Sequence, residues 1–216
     1  MTQTNALTQR LDAGPVICAE GFLFELEKRG YLSAGEFVPE VALEFPDALR
    51  SLHVDFQRAG SDIVEAFTYN GHREKMRVIG KEDLLEPLNR SALQIARSVA
   101  DEVPGNFMAG NISNSNIWDP AETAKQDEVR AMFAEMVGWA VEEGADLIIG
   151  ETFYFAGEAI AAAEIAKLRA CPSSSPSRRW HSRRWPTGSA SSRPPSGSNS
   201  SASTSSASTA SEGPRR

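Results

Sequence analysis

The sequence predicts an α/β fold with a parallel sheet, and three observations support this prediction. Continuous apolar runs of strand length recur four times in residues 1–170, which is typical of strands buried on both faces. Amphipathic segments lie between them, so strands and helices alternate. The runs recur at intervals of roughly 40 residues, which fits a (β/α)8 barrel or a doubly wound sheet. The first run is not followed by G-x-G-x-x-G, which disfavours a dinucleotide-binding fold.

The first two predicted strands are each followed by a helical pattern. The strand "PVICAEG" (15–21) precedes "PDALRSLHVDFQRAG" (46–60), a helix that Gly60 is placed to end. The strand "SDIVEAFTYN" (61–70) precedes "LEPLNRSALQIARSVADEV" (85–103), in which the apolar residues fall on one helical face. These segments predict the first two β-α units.

The second half of the body repeats the arrangement. The strand "NFMAGNISN" (106–114) precedes the helix "VRAMFAEMVGWAVEEG" (129–144). We expect this helix to begin at "DPAE", with Asp119 as its cap and Pro120 in its first turn, and to end at Gly144. The strand "ADLIIGETF" (145–153) precedes the helix "AGEAIAAAEIAKLRA" (156–170). This completes four predicted β-α units.

Residues 171–216 differ sharply in composition from the rest of the chain. They contain 17 Ser and 7 Arg but one Glu, and such a segment cannot bury a core, so we predict a disordered tail. The whole chain has a formal net charge of −7, so residues 1–170 form a distinctly acidic domain. An acidic domain disfavours nucleic acid as its partner.

The sequence predicts no signal peptide, membrane span or disulfide framework. It contains no apolar run long enough to span a membrane, and its N-terminus lacks the basic and apolar regions of a signal peptide. The two cysteines, Cys18 and Cys171, do not make a disulfide framework. We therefore expect a cytoplasmic protein, and nothing in the sequence indicates an oligomeric state.

Polar side chains stand at the end of every predicted strand, where parallel α/β folds place their sites. They are Glu20, Thr68, Tyr69, Asn70, Asn111, Ser113, Asn114, Glu151 and Thr152. Asn and Ser are also common turn residues, which is the competing interpretation for that subset. Glu151 directly follows the buried run "LIIG", so its carboxylate needs a partner or a function. His53 and His72 have no second ligand at metal spacing and are expected to be surface or hydrogen-bonded residues.

Several motifs in order resemble the homocysteine S-methyltransferase family, in its betaine–homocysteine methyltransferase-like branch. They are "ELEKRGY" (25–31), "RAGSDIVEAFT" (58–68), "AGNISN" (109–114) and "EEGADLIIGETF" (142–153). The resemblance covers about residues 11–170. It implies a TIM-type (β/α)8 barrel, of which this chain supplies the first four β-α units before the tail. The predicted domains are therefore 1–170 and 171–216.

The resemblance also implies a reaction and its site. Family members bind one zinc ion through three cysteine thiolates from later strands, and the metal activates the homocysteine sulfur to accept a methyl group from an onium donor. By this resemblance we predict Glu151 as the catalytic residue. The predicted substrate-binding residues are Glu20, Gly21, Thr68, Asn70 and Asn111. Neither Cys18 nor Cys171 stands where the family places a zinc ligand, so we predict no metal-binding residue in this chain.

The chain departs from the family pattern at the donor pocket and at the tail. Phe37, Asn70 and Thr152 stand where betaine-using enzymes have an aromatic cage, so another onium or a methylated amine is an open alternative to betaine. The tail replaces an expected fifth strand. We interpret it as the product of a frameshift near Cys171, which predicts a truncated, inactive enzyme.

Two other functions remain open at this stage. The first is a non-catalytic half-barrel binding module, whose basic "SRRWHSRRW" segment would contact nucleic acid. The second is a relative of the corrinoid-linked methionine synthases, which use a similar barrel but take the methyl group from a cobalamin.

Overall fold

A computed structural model of the protein describes residues 6–32 and 39–170. The helices in this part of the chain are α1 (Ala6–Ala13), α2 (Phe22–Lys28), α3 (Val41–Glu44), α4 (Pro46–Arg58), α5 (Arg73–Val78), α6 (Leu85–Ala100), α7 (Thr123–Glu142) and α8 (Ala156–Ala170). A 3-10 helix, Glu82–Leu84, precedes α6. The strands are β1 (Ile63–Glu65), β2 (Phe107–Ser113) and β3 (Leu147–Glu151).

The three strands form a parallel sheet in the order β1-β2-β3. Ile63 pairs with Phe107, and Ala109 pairs with Leu147. Strands that are consecutive in sequence are therefore neighbours in the sheet, with a helical connection between each pair. The predicted α/β fold with a parallel sheet is confirmed.

The first predicted strand, 15–21, forms only a single parallel bridge, between Cys18 and Ile63. The carboxylate of Asp62 explains this, because its Oδ2 accepts the backbone N–H of Ile17 at 2.9 Å. The carbonyl of Ile17 in turn accepts the N–H groups of both Asp62 and Ile63. The Asp62 side chain thus accepts a hydrogen bond that a backbone carbonyl would accept in a regular parallel ladder. The first predicted strand is therefore incomplete, and the prediction of four complete β-α units is not confirmed.

The second strand is shorter than predicted and ends at Glu65 rather than at residue 70. Beyond it the backbone turns on itself, since Thr68 N–H donates to Ala66 and Gly71 N–H donates to Thr68. Asn70 completes the turn with a φ of 57°, a left-handed conformation that asparagine tolerates better than most residues. The residues 66–70 therefore form a loop at the carboxyl end of β1.

The predicted helix ends are confirmed, but one predicted start is wrong. Gly60 and Gly144 follow α4 and α7 with φ values of 110° and 86°. Helix α7 begins at Thr123 rather than at Asp119, because Asp119 forms a separate turn. Its Oδ1 accepts the N–H of Ala121 at 2.8 Å and its carbonyl accepts the N–H of Glu122. An aspartate two residues before a free N–H favours such a turn as well as a helix cap.

The core lies mainly between the sheet and the helices α6 and α7. Side chains such as Met108 and Ile112 of β2 pack there against Leu88 and Phe133. We call this side of the sheet the helix face. At Gly110 the contact is close enough that an added Cβ would lie 2.6 Å from Cβ of Ala140. Helices α2, α3 and α4 form a second apolar cluster, which also contains Phe67.

The remaining structural expectations concern the tail and membranes. The predicted disorder of residues 171–216, the second predicted domain and Phe37 lie outside the described residues. Within the described residues, no helix combines the length and apolar character needed to cross a membrane.

Candidate active site

The opposite side of the sheet, which we call the inner face, changes from apolar to polar along the strands. Side chains alternate between the faces of a strand, so Ile63 and Glu65 share the inner face. Ile63, Phe107 and Ala109 form an apolar cluster there, with Leu147 and Ile149 packed against it. The same alternation places Glu65, Asn111 and Glu151 on this face, nearer the carboxyl ends of the strands. A polar group therefore lies beside an apolar floor.

Asn111 joins the two carboxyl groups of this polar group. Its amide nitrogen Nδ2 donates to Oε1 of Glu65 at 2.7 Å and to Oε1 of Glu151 at 2.6 Å. Its carbonyl oxygen Oδ1 is buried and has no hydrogen-bond partner. Both amide donors are thus in use, while the acceptor of the same side chain is free.

Glu65 is a prominent member of this group that the sequence analysis missed. It is 3% exposed, and its Oε2 accepts a hydrogen bond from the thiol of Cys18 at 3.7 Å. Burial raises the pKa of Glu65 to about 7; Glu151 and Glu20 raise it further, while the hydrogen bond from Asn111 opposes the shift. The signal was present in the sequence, because a glutamate inside the apolar run "DIVEAF" needs a partner as much as Glu151 does.

Glu151 stands at the end of β3 and is half-buried. Burial raises its pKa, the hydrogen bond from Asn111 opposes that shift, and the charge of Glu20 adds to it. Its side chain lines a cavity on the inner face rather than the outer helix layer. This is the position that the sequence analysis expected for Glu151.

The cavity has a volume of about 220 Å³. Its walls come from the start of α2 and from the carboxyl ends of all three strands: Glu20, Gly21, Phe22, Leu23, Phe24, Glu65, Ala66, Phe67, Tyr69, Asn111, Glu151 and Thr152. These described walls combine three carboxyl groups with aromatic rings and contain no basic side chain. Such a cavity attracts a cationic group and offers apolar and aromatic surface beside it.

The structure brings four of the six predicted site residues to this cavity and places the other two behind it. Glu20, Gly21, Asn111 and Glu151 line the walls. Gly21 has a φ of 92°, which lets the chain turn sharply from the first bridge into α2. Roles in substrate binding remain predictions for all of them.

Thr68 and Asn70 support the cavity wall from behind. The Thr68 hydroxyl donates to the backbone carbonyl of Asn111 at 2.7 Å, and the N–H of Asn70 donates to the Ser113 hydroxyl at 3.3 Å. Both residues are buried. Their hydrogen bonds tie the loop after β1 to β2, and contact with substrate stays a prediction for these two residues.

Thr152 and Asn70, which stand where the aromatic cage was expected, differ in where they lie relative to the cavity. Thr152 lines the cavity, with a φ of 57°, and its hydroxyl accepts a hydrogen bond from Asn114 at 3.2 Å. Asn70 lies behind the wall. The aromatic residues among those that line the cavity are Phe22, Phe24, Phe67 and Tyr69. The cavity therefore has aromatic residues of its own: the sequence analysis identified Tyr69 at the end of its strand but did not consider the three phenylalanines.

The expectation that both histidines are on the surface or hydrogen-bonded is wrong for His53 and half right for His72. His53 is 1% exposed, and neither ring nitrogen has a partner. Its ring packs edge-on against Phe22, with centroids 5.0 Å apart, and burial lowers its pKa to about 3. His72 caps α5 by accepting the N–H of Lys75 through Nδ1, while its Nε2 has no partner.

The described residues do not fit the zinc site that the family resemblance implies. Within residues 6–32 and 39–170, no three His, Cys, Asp or Glu side chains are grouped so that they could hold a metal ion. The one cysteine there, Cys18, has a pKa raised to about 12 by burial and by Glu65, so it stays a thiol rather than becoming a metal-binding thiolate. It packs at the apolar cluster of the inner face and donates to Glu65.

Comparison with known proteins places this geometry in a family. The family model described as Homocysteine S-methyltransferase matches residues 17–210. Betaine–homocysteine S-methyltransferase 1 of Xenopus tropicalis is 35% identical over 166 residues, which is 74% of this chain and 40% of the relative. The enzyme of the same name from Bos taurus is 34% identical over 171 residues, covering 77% of this chain and 41% of the relative.

A relative with a different named donor and a solved structure also match. S-methylmethionine–homocysteine S-methyltransferase BHMT2 of Rattus norvegicus is 32% identical over 167 residues, covering 77% of this chain and 44% of the relative. The oxidized homocysteine methyltransferase MmuM of Escherichia coli superposes with a TM-score of 0.65 at 23% identity, covering 77% of this chain and 64% of that one; this likeness concerns the fold. The chain spans about two fifths of the length of these three curated relatives. It belongs to the homocysteine S-methyltransferase family, in the betaine–homocysteine methyltransferase-like branch.

Proposed function

We propose that the protein takes part in the transfer of a methyl group from a positively charged donor to homocysteine, which gives methionine. The observation that carries this proposal is the acidic cavity at the carboxyl ends of the strands, where Asn111 holds Glu65 and Glu151 together. Family membership names the reaction class, and the cavity has negative charge that suits the onium group of a donor and the ammonium group of homocysteine.

The chemistry of the reaction explains why an acidic, partly aromatic cavity suits it. The homocysteine sulfur attacks the methyl carbon, the bond from that carbon to the donor nitrogen or sulfur breaks, and its electron pair stays with the neutralised donor. The thiol proton of homocysteine leaves to solvent. Carboxylates beside the site favour binding of the cationic donor and of the homocysteine ammonium group, and fixed positions for both reduce the entropic cost of the encounter.

In this proposal the residues of the chain bind and orient the reactants. Glu151 accepts a hydrogen bond from the homocysteine ammonium group, Glu20 adds negative charge beside it, and Asn111 fixes the direction of Glu151. Phe24 and Tyr69 provide aromatic surface for methyl groups on a charged centre. The relatives are named for betaine and for S-methylmethionine as donors, and either a quaternary ammonium or a sulfonium fits this description.

The metal-dependent part of the reaction is proposed separately for this chain. The full sequence contains two cysteines, fewer than the three thiolates that the family resemblance implies. When bound, the zinc of the family supplies a homocysteine thiolate at neutral pH. We propose that the 216-residue chain binds homocysteine without stoichiometric zinc and does not form methionine by itself.

Calorimetric titration with homocysteine tests the binding role. Wild type should bind at one site, and Glu151→Gln should weaken binding at least about tenfold, because a lost hydrogen bond to a charged group costs roughly 1.5–3 kcal/mol. Glu44→Gln, which changes an exposed carboxylate on α3, is the matched control and should bind like wild type. Equal binding by wild type and Glu151→Gln would contradict the assignment of this site.

Zinc analysis and a methionine assay test the second part. The purified chain, incubated with homocysteine and either betaine or S-methylmethionine, should contain less than one zinc per chain and form no methionine. Stoichiometric zinc together with turnover would overturn this part of the proposal while leaving the family reaction in place.

A further inference from the structure

We infer that Glu65 and Glu151 act as one carboxyl pair that shares a single proton before substrate binds, and that a substrate ammonium group displaces this proton. The inference rests on the proposed function, which supplies the cationic substrate. It assigns a role to Glu65 as a positioning and specificity-determining residue beside the carboxylate predicted from the sequence.

The bridging amide forces the two carboxyl groups together. Oε1 of Glu65 and Oε1 of Glu151 both accept from the same nitrogen atom, at 2.7 Å and 2.6 Å. The two oxygens are therefore no farther apart than these two bonds laid end to end. Two carboxylates held this close in a partly buried site repel each other, so one of them retains a proton more readily than an isolated carboxyl would.

The groups that face Glu65 and Glu151 do not neutralise the negative charge of the pair. The segment before α2 contributes Cys18 and Glu20, β2 contributes the neutral Asn111, and β3 contributes Glu151 itself. Helices α4 and α6 contact β1, whose Val64 packs in the core on the helix face, and the groups that shift the pKa of Glu65 come from the segment before α2, from β2 and from β3. The cavity walls in the described residues contain no basic side chain.

The ionisation of the pair follows from these surroundings. Burial raises the pKa of Glu65 to about 7, and the pKa of Glu151 is also raised, first by burial. The thiol of Cys18, whose own pKa is raised to about 12, donates to Oε2 of Glu65 without supplying charge. Near pH 7 the pair therefore exchanges one proton with solvent, as closely coupled carboxyl groups do.

An independent feature of the site points to a ligand with several N–H donors. Oδ1 of Asn111 is buried without a partner, on a residue that is 4% exposed and forms part of the cavity wall. A primary ammonium group carries three N–H donors. Glu65, Glu151 and this amide oxygen are three acceptors on adjacent side chains, which matches that number. A quaternary ammonium group has no N–H and cannot satisfy Oδ1.

The proton balance is then simple. The free site holds one carboxyl and one carboxylate, and the ammonium group arrives with its own charge. When the ammonium donates to both carboxyl groups, the shared proton leaves to the buffer. Binding should therefore release up to one proton per ligand near pH 7, and release should disappear at a pH well above the pKa of Glu65.

Calorimetry in two buffers of different ionisation enthalpy measures this proton directly. Methionine is the probe, since it has the same ammonium group as homocysteine but no ionisable thiol. At pH 7 wild type should release a measurable fraction of one proton, Glu65→Gln should release almost none, and Glu44→Gln should match wild type. Binding of methionine to wild type without proton release would overturn the inference.

Infrared spectroscopy of the free protein tests the shared proton without any ligand. Wild type should show a protonated carboxyl band at pH 7 that is absent from Glu65→Gln and that methionine removes. Wild type alone decides this point if the variant does not fold, because absence of the band at pH 7 would overturn the inference. Presence of the band without methionine binding would support the pair and count instead against the proposed substrate.

Discussion

Nδ2 of Asn111 lies 2.6 Å from Oε1 of Glu151, on the neighbouring strand. This contact depends on the register of β2 and β3, in which Asn111 pairs with Ile149 and Ser113 pairs with Glu151. A shift of one residue would turn the Glu151 side chain to the helix face. The apolar residues packed on both faces of β3 therefore fix the site as well as the fold.

Replacement of the bridging residue should weaken ligand binding. Asn111→Ala removes the donor that both carboxyl groups share, and since this hydrogen bond lowers the pKa of Glu65, that pKa should rise above its wild-type value. Affinity for methionine should fall by about 10- to 100-fold, the equivalent of a lost hydrogen bond to a charged group. Calorimetry measures the affinity. Asn106→Ala, which changes the residue directly before β2, is the control and should bind methionine like wild type.

The pH dependence of stability should change when Glu65 is neutralised. Its folded pKa is raised from 4.5 to about 7, so the folded state binds more protons than the unfolded state in this window. Its contribution is fully present below pH 4.5 and is lost as pH rises through 7, an effect of about 3 kcal/mol. Glu65→Gln should therefore gain stability relative to wild type between pH 4.5 and 8. Urea unfolding at both pH values measures the unfolding free energy of the variant and of wild type. If the difference between the two proteins is the same at both pH values, the result argues against a buried, protonated Glu65.

His53 should make the protein sensitive to acid. Its folded pKa is lowered from 6.5 to about 3 by burial, so its contribution is present above pH 6.5 and is lost as pH falls toward 3. His53→Leu should reduce the loss of stability between pH 6.5 and 4.5. At pH 7 the variant should also be more stable by about 1 kcal/mol, because two unpartnered ring nitrogens are removed. Thermal unfolding at several pH values would show whether the acid sensitivity persists.

Two glycines should respond in opposite directions to substitution by alanine. At Gly110 an added Cβ would lie 2.6 Å from Ala140 and 3.0 Å from Ile148, so Gly110→Ala should destabilise the fold by about 1–3 kcal/mol. At Gly138, inside α7, the nearest atom is a side-chain nitrogen of Arg169 at 3.8 Å. Gly138→Ala should therefore stabilise the helix by up to about 1 kcal/mol. Equal effects of the two changes on urea unfolding would contradict the packing of α7 on β2.

The sequence predicted the sheet well because continuous apolar runs and helical periodicity both reflect burial. β2 and β3 lie where those runs predicted them, and α4 and α7 end at the expected glycines. The first strand could not be predicted correctly, because its loss depends on a long-range contact between Asp62 and the backbone of Ile17. The predicted start of α7 was wrong for a local reason, since Asp119 forms a turn of its own with Ala121.

The site was predicted in part for the same reasons. Glu151 follows an apolar run and was identified, while Glu65 stands within one and was overlooked, although the cost of burying a carboxylate applies to both. The supporting role of Thr68 depends on its hydrogen bond to β2, which spacing along the chain does not reveal. The burial of His53 could not be predicted either, because it depends on the packing of α2 against α4.

The location of the homocysteine site is the central claim, and NMR of the amide-labelled 216-residue chain tests it most directly. Titration with homocysteine at pH 7 should shift the amide signals of Glu20, Gly21, Asn111 and Glu151 along one saturable curve, and leave those of α5 in place. Glu151→Gln should show the same fold in its free spectrum and require a higher ligand concentration for the same shifts. Saturable shifts centred on another part of the chain, or no shifts at all, would contradict the account.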